Sequence, residues 1–246
     1  MGKVIVITSG KGGTGKTSLT GGIGAALARR GSKVLCIDGD IGLRNLDITL
    51  GMTDAALMDF TDVMSGQCEL DRAVAPHPTV SNLSLLTAPL TLPEDFSGEE
   101  GFRAMLDQAR EMYDYILIDC PAGLGQGFRL AVSGADRAIV VAVSDPSSLR
   151  DAQRVVTQLA HLETIHLVVN RVRRRLLKSM DATIDDAMDT AGLPLLGLVP
   201  EDAQVQLAAG RGQVLPDDRK GAAQAFGNIA RRLAGEQVPL MKIPRW

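Results

Sequence analysis

The chain has 246 residues, 45% hydrophobic and 3% aromatic, with 26 basic and 29 acidic side chains for a net charge of −3. That length suits one α/β domain with a sizeable core, and the charge balance argues against a broadly cationic nucleic-acid binder. Cys36, Cys68 and Cys120 form no C-x-x-C pair and read as reduced thiols of a cytosolic protein, while no apolar run reaches the roughly 18 residues of a membrane span.

In chain order, Val4-Ile5-Val6-Ile7 is an apolar, β-branched run of buried-strand type rather than a leader. Gly10-Lys11-Gly12-Gly13-Thr14-Gly15-Lys16-Thr17 follows and fits G-x-x-x-x-G-K-[ST]. Behind it Leu19, Ile23, Ala26 and Leu27 recur at helical spacing. Strand, glycine loop and helix is the setting that a phosphate-binding loop needs. The glycines let backbone N–H groups turn inward, and the helix adds the positive end of its dipole. Lys16 would reach the outer phosphates of a nucleotide such as ATP, Thr17 would ligand Mg²⁺, and Ser18 completes the phosphate side.

Val34-Leu35-Cys36-Ile37 is a second buried strand running into Asp38-Gly39-Asp40. Carboxylates at the carboxyl end of a strand sit where α/β sheets bind ligands. Residues 55–75 read as short helices, Leu83–Leu86 as a strand, and 87–101 as a polar loop. Phe102, Met105, Leu106 and Ala109 give a core-facing helix. Tyr115-Ile116-Leu117-Ile118-Asp119 is a strand ending in a Walker B type carboxylate. Asp38 and Asp119 join Thr17 as the expected Mg²⁺ set. Cys120-Pro121-Ala122-Gly123 makes the next turn. Ala138–Val143 is a strand, and Leu149, Ala152, Val155 and Leu159 mark a helix with Asp151 near its polar start. A strand at His166–Val169 leads to Asn170-Arg171, and one at Leu195–Val199 leads to Pro200-Glu201-Asp202. A last helix spans 219–235, with Gly235 placed to stop it. Arg173-Arg174-Arg175 and Lys178 form a basic run without interleaved aromatics, so a solvated face is expected and nucleic acid is not. The three histidines are scattered and carry no metal expectation.

The lysine directly after the first glycine, Lys11, makes the octet resemble the deviant Walker A ATPases. "DGDIGLRNLD", "IDCPAG" and "VPED" narrow the resemblance to the MinD family of septum site-determining ATPases, from residue 3 to about residue 241. The resemblance implies a slow Mg²⁺-dependent ATPase switch that forms a homodimer on ATP, with MinC-like and MinE-like partners. A ParA-like partition or positioning ATPase is the alternative. By the same resemblance, Lys11 reaches across the dimer to the partner's nucleotide and Asp40 helps position the attacking water. The Gly123 N–H senses the γ-phosphate, Asn170 hydrogen-bonds the adenine with Arg171 beside it, and Pro200, Glu201 and Asp202 flank the base. Arg44, Asp47 and Ile48, together with Asp151, lie on the face that meets partner proteins.

Seven buried strands separated by helices imply one doubly wound, mostly parallel sheet of seven or eight strands with helices on both faces. This ATPase domain is expected over residues 1–235, with a tail at 236–246. The family normally ends in a basic amphipathic helix, which Pro239 and Pro244 exclude here. The expectation is a cytoplasmic protein whose tail either packs against its own domain or touches the inner face of the cell membrane, and then only shallowly and as an ATP dimer.

Overall fold

The computed structural model describes residues 1–53, 55, 57–92, 98–173, 175, 179 and 183–243. The middle of the polar loop, Arg174 and Lys178 of the basic run, and Pro244 to Trp246 of the tail lie outside them. The strands are β1 (Lys3–Thr8), β2 (Val34–Asp38), β3 (Ala75–Pro76), β4 (Leu83–Leu86), β5 (Tyr115–Asp119), β6 (Arg137–Val143), β7 (Thr164–Val172) and β8 (Leu195–Pro200). They form one sheet in the order β3-β4-β2-β5-β1-β6-β7-β8. Every neighbouring pair is parallel except β3 with β4. β2 and β5 are buried along their whole length, as continuous apolar runs require when both faces are covered.

One face packs under α1 (Lys16–Arg29), α2 (Leu46–Leu50) and α10 (Gly221–Leu233) around Ile5, Ile23, Cys36 and Phe226. The other carries α3 (Phe60–Met64), α4 (Leu70–Ala73), α5 (Glu99–Met112), α6 (Gln126–Ser133), α7 (Pro146–Gln158) and α8 (Ile184–Ala191), around Val4, Phe102, Ile118 and Ala152. The doubly wound sheet read from the sequence is therefore present.

Four details differ from or extend that reading. β3 adds an eighth, antiparallel strand of two residues, too short for a periodic signal, with Pro76 tolerated because β3 is an edge. α5 starts at Glu99, ahead of its first apolar residue, because Glu99 and Glu100 suit the positive end of a helix. α8 opens on a capping box between Thr183 and Asp186 and closes on Gly192 at φ 67°. α9 (Ala203–Gly210) has no buried residue, so it leaves no amphipathic pattern to read. Gly235 does stop α10, at φ 90°.

Residues 236–243 lie against the domain. The Arg232 guanidinium donates to the carbonyls of Leu196 at 2.8 Å, Val238 at 2.9 Å and Pro239 at 2.9 Å. Met241 and Ile243 are partly buried on the core, which engages two of the apolar side chains a tail would offer to lipid. Among the described residues, no helix is long and apolar enough to cross a membrane.

Candidate functional site

The register of the sheet assembles the site. Ile7 of β1 and Asp38 of β2 both sit opposite Asp119 of β5, so three carboxyl ends converge at the centre of the sheet. The chain leaves β1 through Thr8 and enters α1 at Lys16, wrapping residues 9–15 into a loop over that edge. Gly13 and Gly15 adopt φ of 76° and 93°, a left-handed conformation that side chains resist. Gly15 is also the N-cap of α1 and supplies no side-chain acceptor, so the first N–H groups of the helix keep their capacity for an anion.

Lys16 is buried at 8% exposure, and its ammonium donates to Ser9 Oγ at 3.0 Å. Ser9 in turn donates to the carbonyl of Lys11 at 2.7 Å. Thr14 Oγ1 is buried with no partner among the described residues, an unmet polar atom inside the loop. Asp38 and Asp119 are 0% and 2% exposed. Burial pushes the Asp38 carboxyl up to about 6, although the N–H groups of Leu46 and Asp40 draw it down. Burial likewise pushes Asp119 up to about 7, against a hydrogen bond from Thr17. Asp40 is half-buried and also raised by burial, with Lys16 opposing.

These observations fit a polyanion with a divalent cation: an uncapped helix start, glycines in left-handed backbone, an orphaned hydroxyl and two buried carboxylates short of positive charge. Among the described residues, no group of three or more His, Cys, Asp or Glu could hold a metal alone. A cation here would take Thr17, Asp38 and Asp119 and complete its shell from the anion.

On the far side of Gly15 lies a cavity of about 530 Å³ lined by Ser18, expected on the phosphate side, and by Asn170, Arg171, Pro200, Glu201 and Asp202, the five residues expected around the base. Asn170 Nδ2 donates to the Thr14 carbonyl at 2.8 Å, and its Oδ1 accepts the Arg171 N–H at 2.9 Å. Arg171 itself sits at φ 52°.

The remaining candidates are dispersed. Lys11 lies 3.1 Å from Asp145 Oδ2 and 3.0 Å from Ser147 Oγ, at the start of α7. Asp151, also on α7, backs directly onto Gly10: a Cβ there would come within 2.3 Å of the Asp151 backbone. Gly123 stands outside the cavity at φ 86°, next to Ala122, whose Cβ is 4.0 Å from where a Cβ on Gly12 would lie. Arg44 is turned inward at φ 44°, donating to Thr87 Oγ1 at 2.6 Å, whereas Ile48 is 47% exposed. Asp47 Oδ1 accepts the N–H of Ile48. Ser9, Asp145 and Ser147 were not anticipated. Asp145 could have been found, because Asp before Pro and Ser-Ser is a helix-start signature and it does cap α7 through the Ser148 N–H at 2.9 Å.

A strand–glycine loop–helix at the centre of a doubly wound sheet, with a second loop lysine and paired carboxylates beside it, defines a P-loop ATPase of the deviant Walker A class. A family model described as AAA domain matches residues 2–176. The septum site-determining protein MinD of Bacillus subtilis is 42% identical over 98% of this chain and 92% of its own. Among solved structures, the MinC:MinD cell division protein complex of Aquifex aeolicus superposes with a TM-score of 0.91 at 38% identity, covering 98% of this chain and 99% of that one. MinD complexed with Mg-ADP from Pyrococcus horikoshii gives 0.80 at 32%, covering 95% and 96%. The chain belongs to the MinD family of septum site-determining ATPases.

Proposed function

We propose that this chain is a Mg²⁺-dependent ATP switch that dimerises on ATP and helps to place the division septum. The observation that carries the reading is the convergence of Lys16, Thr17, Asp38 and Asp119 on one sheet edge, with the 530 Å³ cavity just beyond Gly15. Lys16 has two ammonium protons beyond the one given to Ser9, enough to bridge outer phosphate oxygens. The loop N–H groups from Gly10 to Ser18 would cradle the same phosphates. Thr17, Asp38 and Asp119 would hold Mg²⁺, which when bound neutralises charge developing on the phosphoryl oxygens.

Asp40 keeps its carboxylate half-exposed beyond the buried pair, a placement that suits a group orienting water. The Gly123 N–H lies in a turn where a Cβ on Gly123 would meet open space, and it would follow the γ-phosphate. Asn170 and Arg171, with Pro200, Glu201 and Asp202, would take the adenine. Lys11 would leave Asp145 for the nucleotide of a second copy, completing a site that one chain leaves open. Asp47, Ile48, Arg44 and Asp151 would serve the partner face, where the Aquifex complex with MinC supports a MinC-like protein, and the family resemblance adds a MinE-like one. Residues 1–235 would be the ATPase domain and 236–246 a tail, acting from the cytoplasm at the inner face of the membrane.

The test combines turnover and assembly. Purified chain with Mg²⁺ should hydrolyse ATP slowly, scatter light as a dimer with a nonhydrolysable ATP analogue, and remain a monomer with ADP. A monomer in every nucleotide, with no phosphate release, would discard the switch.

A further inference from the structure

We propose that Gly51 and Gly212 form a positioning contact through which the base of the nucleotide sets helix α2, a step that rests on the nucleotide reading above. α9 is the element between the two. One side of it, through Val205, Gln206 and Ala209, lines the base cavity. Ala208 and Ala209 also face Thr49 of α2 across a cleft of about 20 Å³, so the two helices are nearly in contact. Just past the end of α9 the backbone of Gly212 presses on Gly51, the left-handed C-cap of α2: a Cβ on Gly51 would lie 1.8 Å from the Gly212 carbonyl oxygen. Both glycines have positive φ, 68° and 60°, so the backbone favours glycine on each side, and the space between them demands it at Gly51.

α2 is in turn tied to the chemistry. Asp38 Oδ2 accepts the N–H of Leu46 at the start of α2, and its Oδ1 accepts the N–H of Asp40, both at 2.9 Å. A continuous run of contacts therefore joins the base cavity, α9, the glycine seam, α2 and the Asp38–Asp40 turn. α9 is the yielding member, because it has no fully buried side chain and its N-terminus is pinned through Asp202, which accepts the N–H groups of Gln204 and Ala222 at 2.9 Å each. An element with so little burial opens at low free energy and is ordered by whatever fills the cavity beside it. Base occupancy orders α9, α9 fixes Gly212, and Gly212 holds α2 where Asp40 needs it.

Hydrogen exchange on the full chain with saturating Mg-ADP, compared with Mg-pyrophosphate, tests this without dimerisation. ADP should slow exchange at the phosphate loop, along α9 and at the Gly51 and Met52 amides, whereas pyrophosphate should protect the phosphate loop alone. Protection of α9 by ADP with no change at Gly51 and Met52, or equal protection of those amides by pyrophosphate, would overturn the coupling. No protection at the phosphate loop by ADP would instead overturn the nucleotide reading beneath it. Gly51→Ala meets the hardest clash and threatens the fold itself, so the paired variant is Gly212→Ala, whose Cβ meets the nearest Gly51 atom at 3.4 Å. It should lower kcat for ATP at least fivefold while ADP affinity stays within threefold; a loss of affinity with unchanged kcat would refute a positioning role.

Discussion

Lys11 is held by Asp145 of its own chain: the ammonium lies 3.1 Å from Oδ2, and the carboxylate is also the N-cap of α7. Burial alone would raise the Asp145 carboxyl, but Ser147, the Ser148 N–H and Lys11 outweigh it and hold it below its ordinary range. The two side chains are 35% and 42% exposed, so the pair contributes at most about 1 kcal/mol. A bond that weak can be exchanged for one to a phosphate at little cost.

The two members of that pair should therefore behave differently. Lys11→Ala should leave the thermal midpoint nearly unchanged, a loss below about 1 kcal/mol, and abolish the ATP-dependent dimer in light scattering. Asp145→Ala should keep the dimer and cost about 1 kcal/mol through the lost cap of α7. A Lys11→Ala protein that dimerises normally would make this lysine a simple surface charge.

Lys16→Ala should lower ATP affinity at least about a hundredfold, because two charge-assisted hydrogen bonds of about 1.5–3 kcal/mol each disappear. Its bond to Ser9 is also lost, which sets the stability cost at about 1 kcal/mol. Isothermal titration with Mg-ATP decides, and unchanged affinity would remove the phosphate-loop assignment.

Asp40→Ala keeps the backbone N–H that Asp38 accepts, so the turn should survive the substitution. Turnover should fall by about 10²–10⁴, the range for a lost proton-handling or water-orienting group, with ATP and the dimer retained. Single-turnover phosphate release read beside nucleotide affinity separates the cases. A collapse in affinity would move Asp40 into the metal's shell and make Asp38 the better candidate to orient water.

The sheet was legible because its strands are buried on both faces and announce themselves as continuous apolar runs, and because glycine spacing marks the loop over their edge. Contacts between distant residues were not legible. Nothing in the neighbourhood of Gly51 names Gly212, and nothing around Lys11 names Asp145, since each partnership exists only once the sheet has brought the two segments together. α9 escaped for the opposite reason: with every side chain at least partly exposed, the selection that writes periodicity into a sequence is missing there. The left-handed backbone of Arg44 and its bond to Thr87 are a conformation that a three-residue window does not reveal.

His77 gives the pH dependence a local origin. Its Nε2 meets the carbonyl of Leu50 at 3.0 Å, the end of α2, while Nδ1 accepts the N–H groups of Thr79 and Val80 at 3.1 Å each. That pattern demands a neutral ring with the proton on Nε2, because a protonated Nδ1 could accept neither N–H. Burial lowers the pKa of the ring and the charge of Arg29 adds to this, against the bond to Leu50. A folded value below the unfolded one means that the unfolded chain binds the proton more tightly, so the contribution of His77 is full above about pH 6.5 and is lost as pH falls toward the folded value. His77→Ala should cost about 2 kcal/mol at pH 7.5, the worth of these bonds at about 1 kcal/mol apiece less what water restores. Urea midpoints at pH 7.5 and 5.5 test the sign: wild type should lose more stability on acidification than His77→Ala. His166, whose pKa burial also lowers, contributes equally to both proteins and cancels in the comparison. An equal loss in the two would mean that the ring bonds no tighter neutral than charged, and that α2 is held by Asp38 and Gly212 without it.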